Sequence, residues 1–203
     1  MLAIFTLWTA ALRFVDVQAI GPQGSVVGFA AMNRWFHSLT GVHMALYTAT
    51  DWLGLIPMIF AAGFALLGLV QWIRRKRLTK VDRTILLLGG FYVAVMAAYC
   101  FFERVVINYR PVLINGCLEA SYPSTTTVLV MCVMPTAVME LKTRIQNDRL
   151  GRFVSFALTV FGALMVLGRL LSGVHWLSDI IGGALLSVGL VLLYAAVSGW
   201  KTT

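Results

Sequence analysis

Residues 178–199 read SDIIGGALLSVGLVLLYAAVSG, a run that contains one charged side chain. A helix that crosses a membrane needs roughly 20 mostly apolar residues, so this run is long enough to form one. About six such runs occur along the chain, approximately at 2–20, 52–73, 84–103, 124–141, 153–171 and 178–199. The sequence predicts an all-α polytopic membrane protein, with residues 1–203 forming a single domain built as a bundle of six transmembrane helices.

The overall composition supports this class of protein. Hydrophobic residues make up 60% of the chain, charged residues 12%, and the mean hydropathy is +0.86. A soluble globule of this length would need more polar surface. The net charge of +8 does not indicate nucleic-acid binding, because the basic residues fall between apolar runs and form no exposed patch that tracks phosphates.

The basic residues predict the orientation in the membrane. Six Lys or Arg side chains lie in 74–83, four lie in 142–152, and Lys201 follows the last run. Loops rich in Lys and Arg stay on the cytoplasmic side. With six alternating spans, both termini are therefore predicted to be cytoplasmic.

Two N-terminal features fit this layout less simply. Arg13 and Asp16 lie inside the second half of the first apolar run, which makes it the least regular of the six. The segment at about 25–48 mixes apolar and polar residues, which is typical of an interfacial helix beside the outer leaflet. It either covers the helix bundle or forms a lip that admits a lipid headgroup sideways from the bilayer.

Most of the remaining ionisable side chains lie at or near the predicted outer face. Charged groups close to bilayer depth are costly and are more often functional than decorative. Separate outer loops can bring these side chains together. They are Arg34, His37, His43, Asp51, Glu103, Arg104, Arg110, Glu119, Arg169, His175 and Asp179.

The segment GRLLSGVHWLSD (168–179) places His175 four residues before Asp179. If the last helix begins near His175, the two side chains share a helix face. A carboxylate that bonds one imidazole nitrogen fixes the tautomer and leaves the other nitrogen free to attack. The simpler alternative is that the two residues cap the helix N-terminus and bond to each other.

A second segment, 103–127, contains residues suited to an anion. Pro111 favours an extended backbone at Arg110, whose guanidinium then presents a fixed fork for a phosphate. Pro123 and Ser124 begin the fourth helix, where unpaired backbone N–H groups attract anions. Alternatively, Ser124 and Thr125 are ordinary helix caps, and Arg110 reaches towards lipid headgroups.

Taken together, these elements resemble the phosphatidic acid phosphatase type 2 superfamily, whose three signatures are K-x6-RP, PSGH and SR-x5-H-x3-D. This chain has an Arg-Pro pair at 110–111, Pro-Ser at 123–124, and Arg169, His175 and Asp179 at the spacing of the third signature. The resemblance covers about 50–199 and includes the six-helix layout.

The resemblance implies a role for each matching residue. His175 would be the nucleophile that takes the phosphoryl group as a phosphohistidine, and Asp179 would orient it. Arg110 and Arg169 would clamp the nonbridging oxygens, where charge develops in phosphoryl transfer. Ser124, with Thr125 and Thr126 beside it, would complete the phosphate cradle. No metal or other cofactor is implied, since two guanidinium groups and a helix N-terminus supply positive potential.

The chain departs from the family pattern at three positions. Glu103 stands where the first signature has lysine, and the neighbouring Arg104 can replace that lysine only if the helix rotates. Gly168 replaces the serine of the third signature. Thr126 replaces the histidine that protonates the leaving group.

The loss of that acid bears on the substrate. General acid catalysis contributes typically about 10²–10⁴-fold and matters most for a poor leaving group such as a lipid alkoxide. A phosphate, with a second pKa of roughly 6, can depart without it. We therefore expect a polyprenyl or other lipid diphosphate in preference to a lipid monophosphate, although His37, His43 or Glu119 could instead donate the proton.

Two functions from different classes remain open on the sequence alone. The first is a lipid phosphatase whose active site faces outward, with the short loops and small size favouring a bacterial inner membrane. The second is a catalytically impaired relative that binds or transports a lipid phosphate without hydrolysing it. The presence of both His175 and Asp179 favours the enzyme, because a pure binder needs no nucleophile with an orienting carboxylate.

Overall fold

The structure is a computed structural model that describes residues 1–200. Lys201, assigned above to the inner side, lies outside the described residues. The described chain is helical except for loops and one two-stranded hairpin, so the predicted all-α class is confirmed. Its helices are α1 Leu2–Ala11, α2 Ala30–Thr40, α3 Met44–Leu53, α4 Leu55–Arg75, α5 Arg83–Arg104, α6 Thr125–Lys142, α7 Asp148–Leu171 and α8 Leu177–Ser198; the strands are β1 Gln18–Ala19 and β2 Val26–Val27.

Five helical segments within residues 1–200 are long and apolar enough to cross a membrane. They are Met44–Arg75, Arg83–Arg104, Thr125–Lys142, Asp148–Leu171 and Leu177–Ser198. The chain is therefore an integral membrane protein, and the predicted count of six spans is not confirmed.

The first apolar run, predicted as a span over 2–20, forms only the ten-residue helix α1. Ten residues extend about 15 Å, half of the roughly 30 Å hydrocarbon core. The charged residues in the run explain where the helix ends. Arg13 donates to the carbonyl of Val106 at 2.9 Å, and Asp16 accepts from the backbone N–H of Ala31 at 2.6 Å.

The position of α1 also affects the predicted topology. Its start lies beside the middle of α8, where a Cβ added to Gly189 would be 2.6 Å from Leu2. Its end lies near the start of α8, where Trp8 donates to the carbonyl of Ser178 at 3.2 Å. Since α1 runs along the outer half of α8 only, the prediction that the N-terminus lies at the inner face is not confirmed.

The interfacial segment predicted at about 25–48 is not confirmed as one unit. Its first part contains α2, which packs against α8. From Met44 onward the chain already belongs to a helix that continues through Gly54, in helical conformation, into α4. This continuous helix is about 48 Å long, longer than a bilayer core, and α3 is its outer end.

Helices α6 and α8 form the centre of the bundle. Helix α6 packs against α4, α5, α7 and α8. Glycines in α8 permit a close approach to the chain around the start of α6: a Cβ on Gly182 would lie 2.3 Å from the ring of Tyr122, and one on Gly183 would lie 3.2 Å from Thr127. This contact fixes the loop before α6 against the beginning of α8.

Candidate active site

Five polar side chains from four segments meet where α7 ends and α8 begins. His175 lies in the turn between these helices, Asp179 in the first turn of α8, Arg169 near the end of α7, and Arg110 and Ser121 in the loop between α5 and α6. Each is at most 8% exposed. Four of the five were predicted to converge, and Ser121 was not.

His175 and Asp179 are neighbours, but they do not bond directly. His175 Nδ1 lies 3.8 Å from Asp179 Oδ2, beyond hydrogen-bond distance. The hydroxyl of Ser121 lies between them, 3.0 Å from His175 Nδ1, and donates to Asp179 Oδ2. The direct contact expected from the spacing is thus replaced by a serine bridge. In the sequence, the sole sign of Ser121 was its place in the hydroxyl-rich stretch 121–127.

The carboxylate of Asp179 is held by several further donors. The backbone N–H of Trp176 donates to Oδ2 at 3.0 Å, which caps the start of α8, and Asn108 Nδ2 donates to Oδ1 at 3.0 Å. Ser178, the residue before Asp179, is bonded through both its backbone N–H and its hydroxyl to the side chain of Asn33. This buried network connects α2 and the outer loop to the start of α8.

Arg110 faces the other side of the imidazole. Its Nη1 lies 3.3 Å from His175 Nε2, and its Nε lies 3.1 Å from Glu119. The loop around Arg110 doubles back on itself, since the Arg110 N–H donates to the Glu119 carbonyl at 3.0 Å. Asn115 and Gly116, both with positive φ, form the turn, as an Asn-Gly pair commonly does.

Arg169 is held mainly by α3. Its Nη1 lies 3.3 Å from the Thr50 hydroxyl, and its Nη2 lies 3.6 Å from Asp51. The ring of Tyr47 contacts both arginines: the Arg169 guanidinium is 4.5 Å from the ring centroid and that of Arg110 is 5.8 Å away. Tyr47 thus holds two like charges near one aromatic ring.

The positive charge of the site comes from these two guanidinium groups. Within residues 1–200, no group of three His, Cys, Asp or Glu side chains is placed to hold a metal ion. An anion placed between the two arginines would be bound through charge-assisted hydrogen bonds.

Packing against α3 explains the glycine at 168. A Cβ at that position would lie 2.8 Å from the methyl group of Thr50, too close for any side chain without a shift. Thr50 therefore occupies the space next to Arg169 that a serine at 168 would use, and its hydroxyl bonds Arg169 instead. The Thr50 hydroxyl on α3 thus takes the place of the hydroxyl that a serine at 168 would provide.

The hydroxyl side chains at the start of α6 point in different directions. Ser124 is fully buried, its N–H donates to the Asp179 carbonyl at 3.1 Å, and its Oγ accepts from Thr127 at 3.0 Å. Ser124 precedes α6 as predicted, but its hydroxyl makes no capping bond. Thr125 and Thr126 line an adjacent cavity.

The structure does not bring Arg104 to the cluster. Its guanidinium donates to the carbonyl of Cys100 in its own helix at 3.2 Å, and the residue is exposed. Glu103 instead lines the cavity beside Thr126. The helix rotation that Arg104 would need to replace the lysine of the first signature has not occurred.

The three alternative proton donors lie around the cluster without bonding His175. Glu119 is paired with Arg110. His37 packs against Trp176 with the ring centroids 5.5 Å apart, and burial lowers its pKa. The backbone N–H of His43 donates to the Ser172 carbonyl at 2.9 Å.

Burial sets the protonation state of His175. The pKa of His175 is lowered to about 4, chiefly by desolvation, with a smaller contribution from the charges of Arg110 and Arg169, while the nearby carboxylate of Asp179 opposes the shift. The imidazole is therefore neutral at pH 7, the state in which a ring nitrogen can act as a nucleophile.

An apolar cavity of about 450 Å³ lies beside this cluster, and Ser121 is the cluster residue that lines it. It lies between α4 and α5, whose side chains Met58 and Met96 are exposed to the bilayer side, and it ends at Ser121, Thr125 and Thr126. Its shape and lining suit an apolar chain that enters sideways from the membrane.

The chain resembles known proteins in sequence and in fold. The family model of the PAP2 superfamily matches residues 106–203. The chain is similar in fold to the crystal structure of a transmembrane PAP2-type phosphatidylglycerolphosphate phosphatase from Bacillus subtilis, with a TM-score of 0.54 and 18% sequence identity over 99% of this chain and 95% of that one. No curated protein matches the chain.

The fold and the site together define a membrane-integral helical protein with a buried histidine, aspartate and two arginines at one end of the bundle. Residues 106–203, which carry most of this site, match the PAP2 superfamily, and the chain as a whole is similar in fold to a transmembrane phosphatase of that type.

Proposed function

We propose that the chain hydrolyses a lipid phosphate, with preference for an isoprenoid or other lipid diphosphate, through a phosphohistidine on His175. One observation carries the proposal: His175 Nε2 faces Arg110 Nη1 at 3.3 Å, while Nδ1 is held on the opposite side of the ring by Ser121. The imidazole is thus oriented with Nε2 towards the guanidinium of Arg110, a cation suited to a phosphoryl group.

The roles of the side chains follow from this orientation. The Nε2 lone pair attacks phosphorus, and the bond from phosphorus to the leaving oxygen breaks with its electron pair going to the leaving group. Arg110 and Arg169 stabilise the charge on the nonbridging oxygens. Water then attacks the phosphohistidine, which releases inorganic phosphate and restores His175.

The start of α6 provides the remaining contacts to the substrate. In this proposal the hydroxyls of Thr125 and Thr126, which line the cavity, and the backbone around buried Ser124 contact the outer phosphate oxygens. Thr126 cannot protonate a leaving alkoxide at neutral pH. A diphosphate substrate avoids this need, because its leaving group is a stable phosphate anion.

The cavity between α4 and α5 supports a lipid as the carrier of that phosphate. Its apolar lining suits a hydrocarbon chain, and Ser121, whose hydroxyl lies 3.0 Å from His175 Nδ1, also lines it. We place the site at the outer face of a bacterial cytoplasmic membrane, because the basic loops 74–83 and 142–152 lie at the opposite end of the five long helices.

The test is phosphate release by the purified protein from a polyprenyl diphosphate, a polyprenyl monophosphate and phosphatidic acid, side by side. We expect His175→Ala to abolish release, Asp179→Asn to slow it to a low but measurable rate, and Asp148→Asn, at the start of α7, to leave it unchanged. Quenching at alkaline pH should trap a phosphoenzyme that His175→Ala lacks. Release that persists in His175→Ala would refute the nucleophile assignment.

A second candidate is binding or transport of a lipid phosphate without hydrolysis. The observation that favours it is the side chain at position 126, where a threonine lines the cavity in place of the family's acid. Saturable binding of the lipid, lost in Arg110→Ala, together with no release from any of the three substrates, would support this candidate instead.

A further inference from the structure

The structure assigns a positioning role to Ser121, which no family signature includes: we propose that its hydroxyl links Asp179 to His175 and sets the imidazole tautomer for attack. The inference rests on the proposed function of His175 as nucleophile. Ser121 acts through His175 and need not touch the phosphoryl group.

The distances favour a bridge over a direct pair. His175 Nδ1 is 3.8 Å from the nearer carboxylate oxygen but 3.0 Å from the Ser121 hydroxyl, which itself bonds that oxygen. All three residues are at most 3% exposed, so water does not compete for these bonds. Removing the hydroxyl would leave Nδ1 without a partner in a buried site.

The direction of the hydrogen bonds follows from the carboxylate. An ionised carboxylate can only accept, so the Ser121 hydroxyl donates its proton to Asp179. Its oxygen is then left to accept from His175 Nδ1–H. This arrangement places the ring proton on Nδ1 and the lone pair on Nε2, which faces Arg110.

The backbone holds Ser121 in this position. Its N–H donates to the carbonyl of Asn108 at 2.9 Å. The next residue, Tyr122, bonds Thr9 through its hydroxyl at 2.7 Å, and its ring packs on Gly182. Asn108 also bonds Asp179, so the same loop positions both the bridge and the carboxylate.

The direct measurement is the tautomer of His175, followed by ¹⁵N NMR of histidine-labelled wild-type protein at neutral pH. The bridge requires the proton on Nδ1. A dominant Nε2–H tautomer in the wild type would overturn the proposal without the use of any variant.

The kinetic test uses Ser121→Ala with Ser121→Thr as the conservative variant. We expect Ser121→Ala to lower kcat by about 10- to 100-fold, the range typical of losing a residue that orients a histidine ligand, with KM changed less than twofold. Ser121→Thr should recover most of the loss because it retains the hydroxyl. Ser187→Ala provides the matched control: this serine is also fully buried, but it bonds Gly183 within α8, away from the site.

A double-mutant cycle separates a bridge from a general structural role. If Ser121 acts through Asp179, the variant Ser121→Ala/Asp179→Asn should be no slower than Asp179→Asn alone. Additive losses would overturn the proposal, as would a Ser121→Ala enzyme with unchanged kcat and tautomer. Absence of phosphate release and phosphohistidine in the wild type would instead refute the proposed function, and the NMR result would still decide on the bridge.

Discussion

Restoring the family's serine at position 168 should impair this protein. The Cβ of Gly168→Ser would lie 2.8 Å from the Thr50 methyl group, about 0.6 Å closer than ordinary contact, which begins at 3.4 Å. Both helices are packed at this point, so α3 must shift. Overpacking of this kind costs about 1–3 kcal/mol. Because α3 carries Tyr47 and Thr50 to Arg169, strain carried from this contact into the site should also lower kcat/KM, by at most about 150-fold, with about 1.4 kcal/mol per factor of ten.

The assay is phosphate release together with thermal unfolding of the detergent-solubilised protein. Gly162→Ser is the matched control on the same helix, because its Cβ would meet its nearest neighbour at 3.7 Å. Thr50→Ala removes the clashing methyl group, so the double variant Gly168→Ser/Thr50→Ala should recover both stability and turnover. A Gly168→Ser protein equal to wild type, or one that Thr50→Ala fails to rescue, would refute the packing argument.

Three further predictions concern the chemistry of the site. Thr126→His should raise turnover of a lipid monophosphate by up to about 10²–10⁴-fold and leave diphosphate turnover almost unchanged; an equal gain on both substrates would contradict the leaving-group argument. Because the pKa of His175 is lowered to about 4 from the ordinary histidine value of 6.5, the unfolded chain binds more protons than the folded chain between these two pH values. Stability should therefore fall as pH falls through this window, and His175→Ala should remove that part of the pH dependence of the unfolding temperature. Tyr47→Ala should raise KM by about 2- to 30-fold through loss of roughly 0.5–2 kcal/mol of cation–π attraction to the arginines, whereas Tyr47→Phe should stay near wild type; equal KM values for both variants would show that the ring does not hold the arginines.

The length of the apolar runs predicted the class of the protein correctly. It did not predict the first helix, because length alone does not decide where a helix ends. Runs whose charge is confined to one end, such as the one that became α8, predict their helices because burial in lipid leaves no competing structure. In the first run, Arg13 and Asp16 found partners in the outer loop and α2, so the helix ended after ten residues. That competition depends on tertiary contacts that hydropathy does not contain.

The candidate site was likewise predictable from the sequence only in part. The spacing of Arg169, His175 and Asp179 was sufficient to bring them together, because two helices joined by a short turn leave few arrangements. Ser121 could not be found from spacing, since its position depends on the path of the loop and on Gly182 in a distant helix. In the sequence, the glycine at 168 was interpreted as the loss of a hydroxyl ligand. Its contact with the neighbouring Thr50, which the sequence does not reveal, explains why a glycine is present.

The continuous helix Met44–Arg75 has a consequence for how the protein responds to its lipid environment. Its C-terminal part, α4, is about as long as the hydrocarbon core is thick. Its N-terminal part, α3, holds Tyr47 against the two arginines. A rigid helix adapts to a thicker or thinner bilayer by tilting, and tilting displaces its two ends together. Phosphate release in vesicles should therefore vary with the acyl-chain length of the host lipid at constant headgroup, and a Gly-Gly insertion after Gly54 should abolish that variation. Membrane thickness would then set the geometry of the phosphate site.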